Sequence, residues 1–119
     1  PELTLPLMEE VRAAVPGFIG CQPVAYRTPA DHPDFTSLPA FPYELDPYQL
    51  TRREMAQYAL RARDIGVNYI GACCGAVAIH IREMARALGK GPAEQGAWKI
   101  DYSRPMSAYE YYGHEKAGS

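Results

Sequence analysis

The stretch Val67-Asn68-Tyr69-Ile70-Gly71-Ala72-Cys73-Cys74-Gly75 decides how this chain is read. Val67 to Ile70 is a short apolar run and predicts a buried strand, which the Gly71-Ala72 pair ends as a turn. A helical pattern begins directly afterwards. The strand tip therefore carries two adjacent thiols, at the end of a parallel strand where α/β folds place their chemistry. Thiolates there suit a soft or borderline metal such as zinc. The plainer alternative is two small buried hydrophobes, which free cysteines often are.

Working outward, Thr51-Arg52-Arg53-Glu54 is a capping box, with Glu three residues after Thr. It predicts a helix to about Asp64, with Met55, Tyr58, Ala59, Ala62 and Ile65 facing the core and Gly66 as the stop. Downstream, a second helix is predicted from about Val77 to Leu88, ended by Gly89 and by Gly91-Pro92. Upstream, Phe18 to Ala25 is an apolar strand. Pro23 lacks an amide hydrogen, so only its first part should pair fully. Before it, Leu5, Met8, Val11, Ala14 and Val15 form a helical stripe that tolerates Pro6 in its first turn and stops at Pro16-Gly17. Between the upstream strand and the capping box lies Tyr26–Leu50, a loop with prolines at 29, 33, 39, 42 and 47 and no period. A loop of that length leaving a strand tip is expected to be functional.

The order is helix, strand, long loop, helix, strand, helix, tail. Strands separated by a helix imply a parallel pair with a right-handed crossover. Two parallel strands do not make a stable sheet alone, because all-parallel sheets need both faces covered. The expected fold class is α/β: the C-terminal part of a (β/α)8 barrel, its last two parallel strands with their helices. A complete barrel takes roughly 250 residues, and this chain is about half of that. Residues 1–92 are assigned to the barrel part and 93–119 to a C-terminal tail. Trp98 and the tyrosines at 102, 109, 111 and 112 make that tail too aromatic for a free linker.

Composition excludes several classes. The formal net charge of −2 over 119 residues points to no nucleic-acid or anionic-membrane partner. No apolar run approaches a membrane span, and Pro1-Glu2 does not open a signal peptide. Three cysteines are an odd number, and neighbouring cysteines rarely bridge because the geometry is strained. A reducing, cytoplasmic compartment fits best.

Three blocks resemble the homocysteine S-methyltransferase family, and within it the betaine–homocysteine branch: Gln22-Pro23-Val24-Ala25-Tyr26-Arg27-Thr28-Pro29, Phe41-Pro42-Tyr43-Glu44-Leu45-Asp46-Pro47, and Gly66 to Gly75 running on through His80-Ile81-Arg82. The resemblance reaches to about Trp98. It implies a zinc-dependent methyltransferase on a (β/α)8 barrel, in which three cysteine thiolates hold the metal. Homocysteine binds through its sulfur and attacks a small methyl donor, giving methionine. Cys73 and Cys74 match the paired ligands of the family's eighth strand. Zinc stabilises a deprotonated thiol, and a three-ligand site leaves the fourth position for the substrate sulfur.

The departures are specific. The family's third cysteine matches a point just before Pro1, which leaves the third ligand outside this chain. Cys21 is not its counterpart and is read as a buried strand residue. Ala72 replaces the second glycine of the signature. Tyr102-Ser103-Arg104-Pro105 stands where betaine-type members carry His-Thr-Lys-Pro, so Tyr102 is a candidate substrate-binding residue whose alternative is packing. Tyr26 matches a family tyrosine and is the other such candidate, again with packing as the alternative.

Other residues carry plainer expectations. His80 should face away from the thiols as a satisfied helix residue. His32 is read as an exposed loop histidine and His114 as solvated. Glu44 and Asp46 are loop charges. Arg52 and Arg53 sit where a helix disfavours positive charge, a weak hint of an outside partner. No residue is assigned a catalytic role, and no phosphate loop or Ser-His-Asp set is present.

The expected function is zinc-dependent methyl transfer to homocysteine, with betaine as donor. This chain supplies two of three ligands and needs an upstream half-barrel or a partner chain, which could include a second copy. One alternative is a non-catalytic fragment or subunit that completes a barrel. Another keeps the family but uses S-methylmethionine or a methylated folate as donor.

Overall fold

A computed structural model describes residues 1–90, and the aromatic tail and the boundary at residue 92 lie outside the described residues. Helix α1 spans Thr4–Ala14, strand β1 Gly20–Cys21, helix α2 Arg52–Ile65, strand β2 Tyr69–Ile70 and helix α3 Ala78–Ala87. The two strands pair in parallel, Gly20 opposite Tyr69 and Cys21 opposite Ile70, with α2 as the crossover between them. This is the helix–strand order read from the sequence, and it is that of a mixed α/β unit.

Each helix boundary has a local cause. Thr51 caps α2: its Oγ1 accepts the Glu54 N–H at 3.2 Å, and Glu54 Oε2 accepts the Thr51 N–H at 2.7 Å. Gly66 ends α2 at φ +99°, a left-handed conformation that favours glycine. Arg12 then ties this end to α1, donating to the Gly66 carbonyl at 3.2 Å and to the Gly17 carbonyl at 2.9 Å. Helix α3 begins differently, because its N-cap Val77 has no side-chain oxygen. His80 caps it from inside the helix, its Nδ1 accepting the Val77 N–H at 3.0 Å while its own N–H donates to the Val77 carbonyl at 2.9 Å.

Helix α2 packs against α1, α3 and β2. The core joins Leu5 and Met8 of α1, Ile19, Cys21 and Ala25 along β1, Met55, Tyr58, Ala59 and Ala62 of α2, Val67, and Met84 of α3. Ile65 is only partly buried at its margin. Arg52 corrects one expectation, since it is 3% exposed and not a surface cation awaiting a partner. Arg53 does lie at the surface.

The strands also pair further than expected. Past Pro23 the ladder continues: Cys73 N–H donates to the Pro23 carbonyl at 2.8 Å, and Ala25 N–H donates to the Cys74 carbonyl at 2.8 Å. Pro23 cannot donate to Gly71 in the step between. The buried Tyr58 hydroxyl fills that place, lying 3.1 Å from the Gly71 carbonyl oxygen and 3.1 Å from that of Cys21. The Cys21 oxygen already accepts the Gly71 N–H at 2.9 Å. The single phenolic proton is therefore needed at Gly71. Burial, and then the neighbouring Cys21, push the Tyr58 phenol well above its ordinary pKa, which keeps that proton in place.

Burial alternates along the segment from Ile19 to Ala25 that contains β1. Cys21, Pro23 and Ala25 are buried against the helices, while Gly20 and Gln22 are exposed. On the neighbouring strand Tyr69 and Cys73 are exposed as well. Among the described residues the helices cover one face of the sheet and leave the other open. No helix among them is long and apolar enough to cross a membrane.

Candidate metal centre

Cys73 and Cys74 are exposed and reduced at the C-terminal tip of β2, with their Sγ atoms 3.7 Å apart. A tetrahedral zinc with bonds of about 2.3 Å sets its ligand sulfurs about 3.8 Å apart. The pair thus stands at ligand spacing, and both thiols are of the class that zinc prefers. Hydrogen bonding to Cys73, and the charge that a Cys73 thiolate would place beside it, raise the Cys74 thiol above its usual range. A bound cation reverses this effect, since coordinated thiols are deprotonated outright. Among the described residues, no cluster of three metal-ligating side chains forms.

The turn beneath the thiols is tightly specified. Ala76 N–H closes it on the Cys73 carbonyl at 3.2 Å. Gly75 takes φ +82°. A side chain at this position would also collide with Tyr26, whose Cζ would lie 2.6 Å from an added Cβ. The Tyr26 ring thus lies directly over the cysteine turn. It stacks on Phe35 at 5.3 Å between centroids, and Phe35 meets Phe41 edge-on at 5.9 Å. Tyr26 also walls a cleft of about 650 Å³ bordered by Arg27, Tyr48, Glu54 and Tyr58, which neither Cys73 nor Cys74 lines. The structure therefore brings Tyr26 against Gly75, the residue that follows the two thiols, across 49 residues of sequence. Tyr102 lies outside the described residues.

The long loop is anchored at its base and not free. Tyr26 and Gln49 form an antiparallel bridge, Arg27 N–H donates to the Tyr48 carbonyl at 2.7 Å, and Leu50 N–H donates to the Ala25 carbonyl at 2.9 Å. Arg27 reinforces this, donating to the Gln49 carbonyl at 2.7 Å and pairing with Glu54. Inside the loop are short 3-10 turns at Phe35–Ser37 and Asp46–Tyr48.

His80 and Cys21 fall where the plainer readings put them, His32 is only partly exposed, and His114 lies outside the described residues. His80 is buried, and with Nδ1 accepting from Val77 its Nε2 must carry the proton donated to the Leu50 carbonyl at 2.7 Å. Both nitrogens are used, and neither serves a metal. His32 lies 3.9 Å from Asp31 in the loop. Cys21 is sealed in the core.

Two contacts near the strand tip had no signal in the sequence. Gln22 lies on the open sheet face, with its Nε2 3.4 Å from the Tyr69 hydroxyl. Gln49 donates from its side-chain amide to the Gly75 carbonyl at 2.6 Å. Both contacts join residues far apart in the chain, which no local pattern announces.

The family model described as homocysteine S-methyltransferase matches residues 1–88. A betaine–homocysteine S-methyltransferase 1 of Xenopus laevis is 40% identical over 105 residues, covering 80% of this chain and 26% of that protein. The protein of that name from Danio rerio is 49% identical over 76 residues, covering 63% of this chain and 18% of its own length. An S-methylmethionine–homocysteine S-methyltransferase of Pongo abelii is 38% identical over 88 residues, covering 71% of this chain and 24% of its own. The chain spans about a quarter or less of the length of these curated relatives.

Proposed function

The chain belongs to the homocysteine S-methyltransferase family, and we propose that it supplies two of three zinc ligands, Cys73 and Cys74, for methyl transfer to homocysteine with betaine as donor. The observation that carries this reading is the pair of exposed thiols 3.7 Å apart on a turn pinned to the neighbouring strand. Bound zinc would supply a Lewis acid that stabilises the substrate thiol as its thiolate, the nucleophilic form. In the reaction a sulfur–methyl bond forms, the donor's nitrogen–methyl bond breaks, and the thiol proton is released to solvent. The products are methionine and a tertiary amine.

The chain's own residues would bind and orient. Cys73 and Cys74 hold the metal, and Tyr26, whose ring lies over Gly75 next to them, is assigned to substrate binding. Tyr102 is proposed as a donor-binding residue because it stands where betaine-type members carry a histidine. The open face bearing Gln22 and Tyr69 suits the interior of a (β/α)8 barrel, whose remaining strands would come from an upstream half or a partner chain. That part would also bring the third thiolate. Reduced thiols fit a cytoplasmic setting.

The test uses the complete polypeptide. Metal analysis should find zinc, and the Cys73→Ser, Cys74→Ser double variant should lose both zinc and methyl transfer. Zinc retained by that variant would sink the assignment. Full activity of the isolated 119-residue chain would overturn the division of the site between two parts. The similarity to the Pongo abelii relative favours a second donor, S-methylmethionine. Assays with each donor in turn decide between them.

A further inference from the structure

The three carbonyls of the turn Cys73-Cys74-Gly75 are all engaged. Cys73 accepts from Ala76 N–H within the turn, and Cys74 accepts from Ala25 N–H across the sheet. Gly75 accepts from the Gln49 side chain at 2.6 Å. Two of these bonds belong to the backbone and survive any substitution that keeps the fold. The third depends on one side chain.

Gln49 is well placed for such a task. Its own carbonyl is held by Arg27, and the carbonyl of Leu50 beside it is held by the buried His80 Nε2. The anchored base of the loop thus aims the Gln49 amide at a residue 26 positions on. That residue directly follows the second thiol. Without this donor the Gly75 carbonyl must turn toward water, and Gly75, lacking a Cβ, offers little resistance.

We propose that Gln49 is a positioning residue that holds the cysteine turn so that both thiols stand at metal-ligand spacing. This inference rests on the zinc reading above. Groups that orient ligands without touching the metal set its affinity by restricting where the ligands point, typically by about 10-fold to 100-fold. Gln49 acts here through the backbone of Gly75.

The experiment measures zinc affinity by chelator competition in the complete polypeptide, together with the thiolate charge-transfer band of the cobalt(II)-loaded form. Gln49→Met keeps the side-chain length and removes the donor. It is expected to bind zinc about tenfold more weakly while still showing the same three-thiolate charge transfer as the unaltered polypeptide at saturation. Arg12→Met is the control, because it loses the hydrogen bonds to Gly66 and Gly17 at the other end of β2. It should leave zinc affinity within about twofold. Unchanged affinity in Gln49→Met overturns the inference and leaves the zinc reading intact. Equal weakening in both variants also overturns it, by showing general destabilisation. A wild-type protein that binds no zinc through Cys73 and Cys74 overturns both readings.

Discussion

At the residue scale, single side chains repair what the backbone cannot do. Tyr58 supplies the hydrogen bond that Pro23 withholds from Gly71, and it does so from the centre of the core. Tyr58→Phe keeps the packing and removes the donor, and it should cost about 1–2 kcal/mol in denaturant unfolding of the complete polypeptide. His80 does similar work at the start of α3, where its two nitrogens serve Val77 and Leu50. His80→Phe strands both partners and is expected to cost about 2–4 kcal/mol by the same measurement. Gly75 is constrained twice, by its left-handed φ and by the Tyr26 ring. Gly75→Ala should therefore displace the turn and weaken zinc binding at least about tenfold, read by chelator competition.

At the element scale, the capping box and the glycine stop of α2 were plain in the sequence, because both ends are specified within four residues. Thr51→Ala removes the cap and should cost about 1 kcal/mol, measured as a fall in unfolding free energy. The strands are a different matter. Only two residues of each have regular strand geometry, yet hydrogen bonds join the two segments from Ile19 to Ala25. Pro23 predicted an early end to the pairing. It fails to end it because proline keeps its carbonyl, which accepts from Cys73, while Tyr58 covers the lost donor.

At the scale of the whole molecule, the sheet has one covered face and one open face among the described residues. Parallel sheets are stable when both faces are buried. On the barrel reading proposed above, the isolated 119-residue chain is expected to unfold with low cooperativity in circular dichroism, and to regain a sharp transition when the rest of that proposed barrel is supplied. A cooperative, monomeric unfolding transition of the isolated chain would count against the need for that remainder. This expectation is independent of the cysteines, since it rests on the strand surface left uncovered among the described residues.

The sequence by itself determined the element order, the helix ends, the crossover between parallel strands and the family, because each rests on local pattern or on contiguous motifs. It also marked Cys73 and Cys74, which are neighbours in the chain. Only the tertiary structure decided that Tyr26 lies over their turn, that Gln49 holds it, that Tyr58 mends the ladder and that Arg52 is buried. Each of these depends on segments brought together by packing. A hydrogen bond spanning 26 residues leaves no periodic trace along the chain.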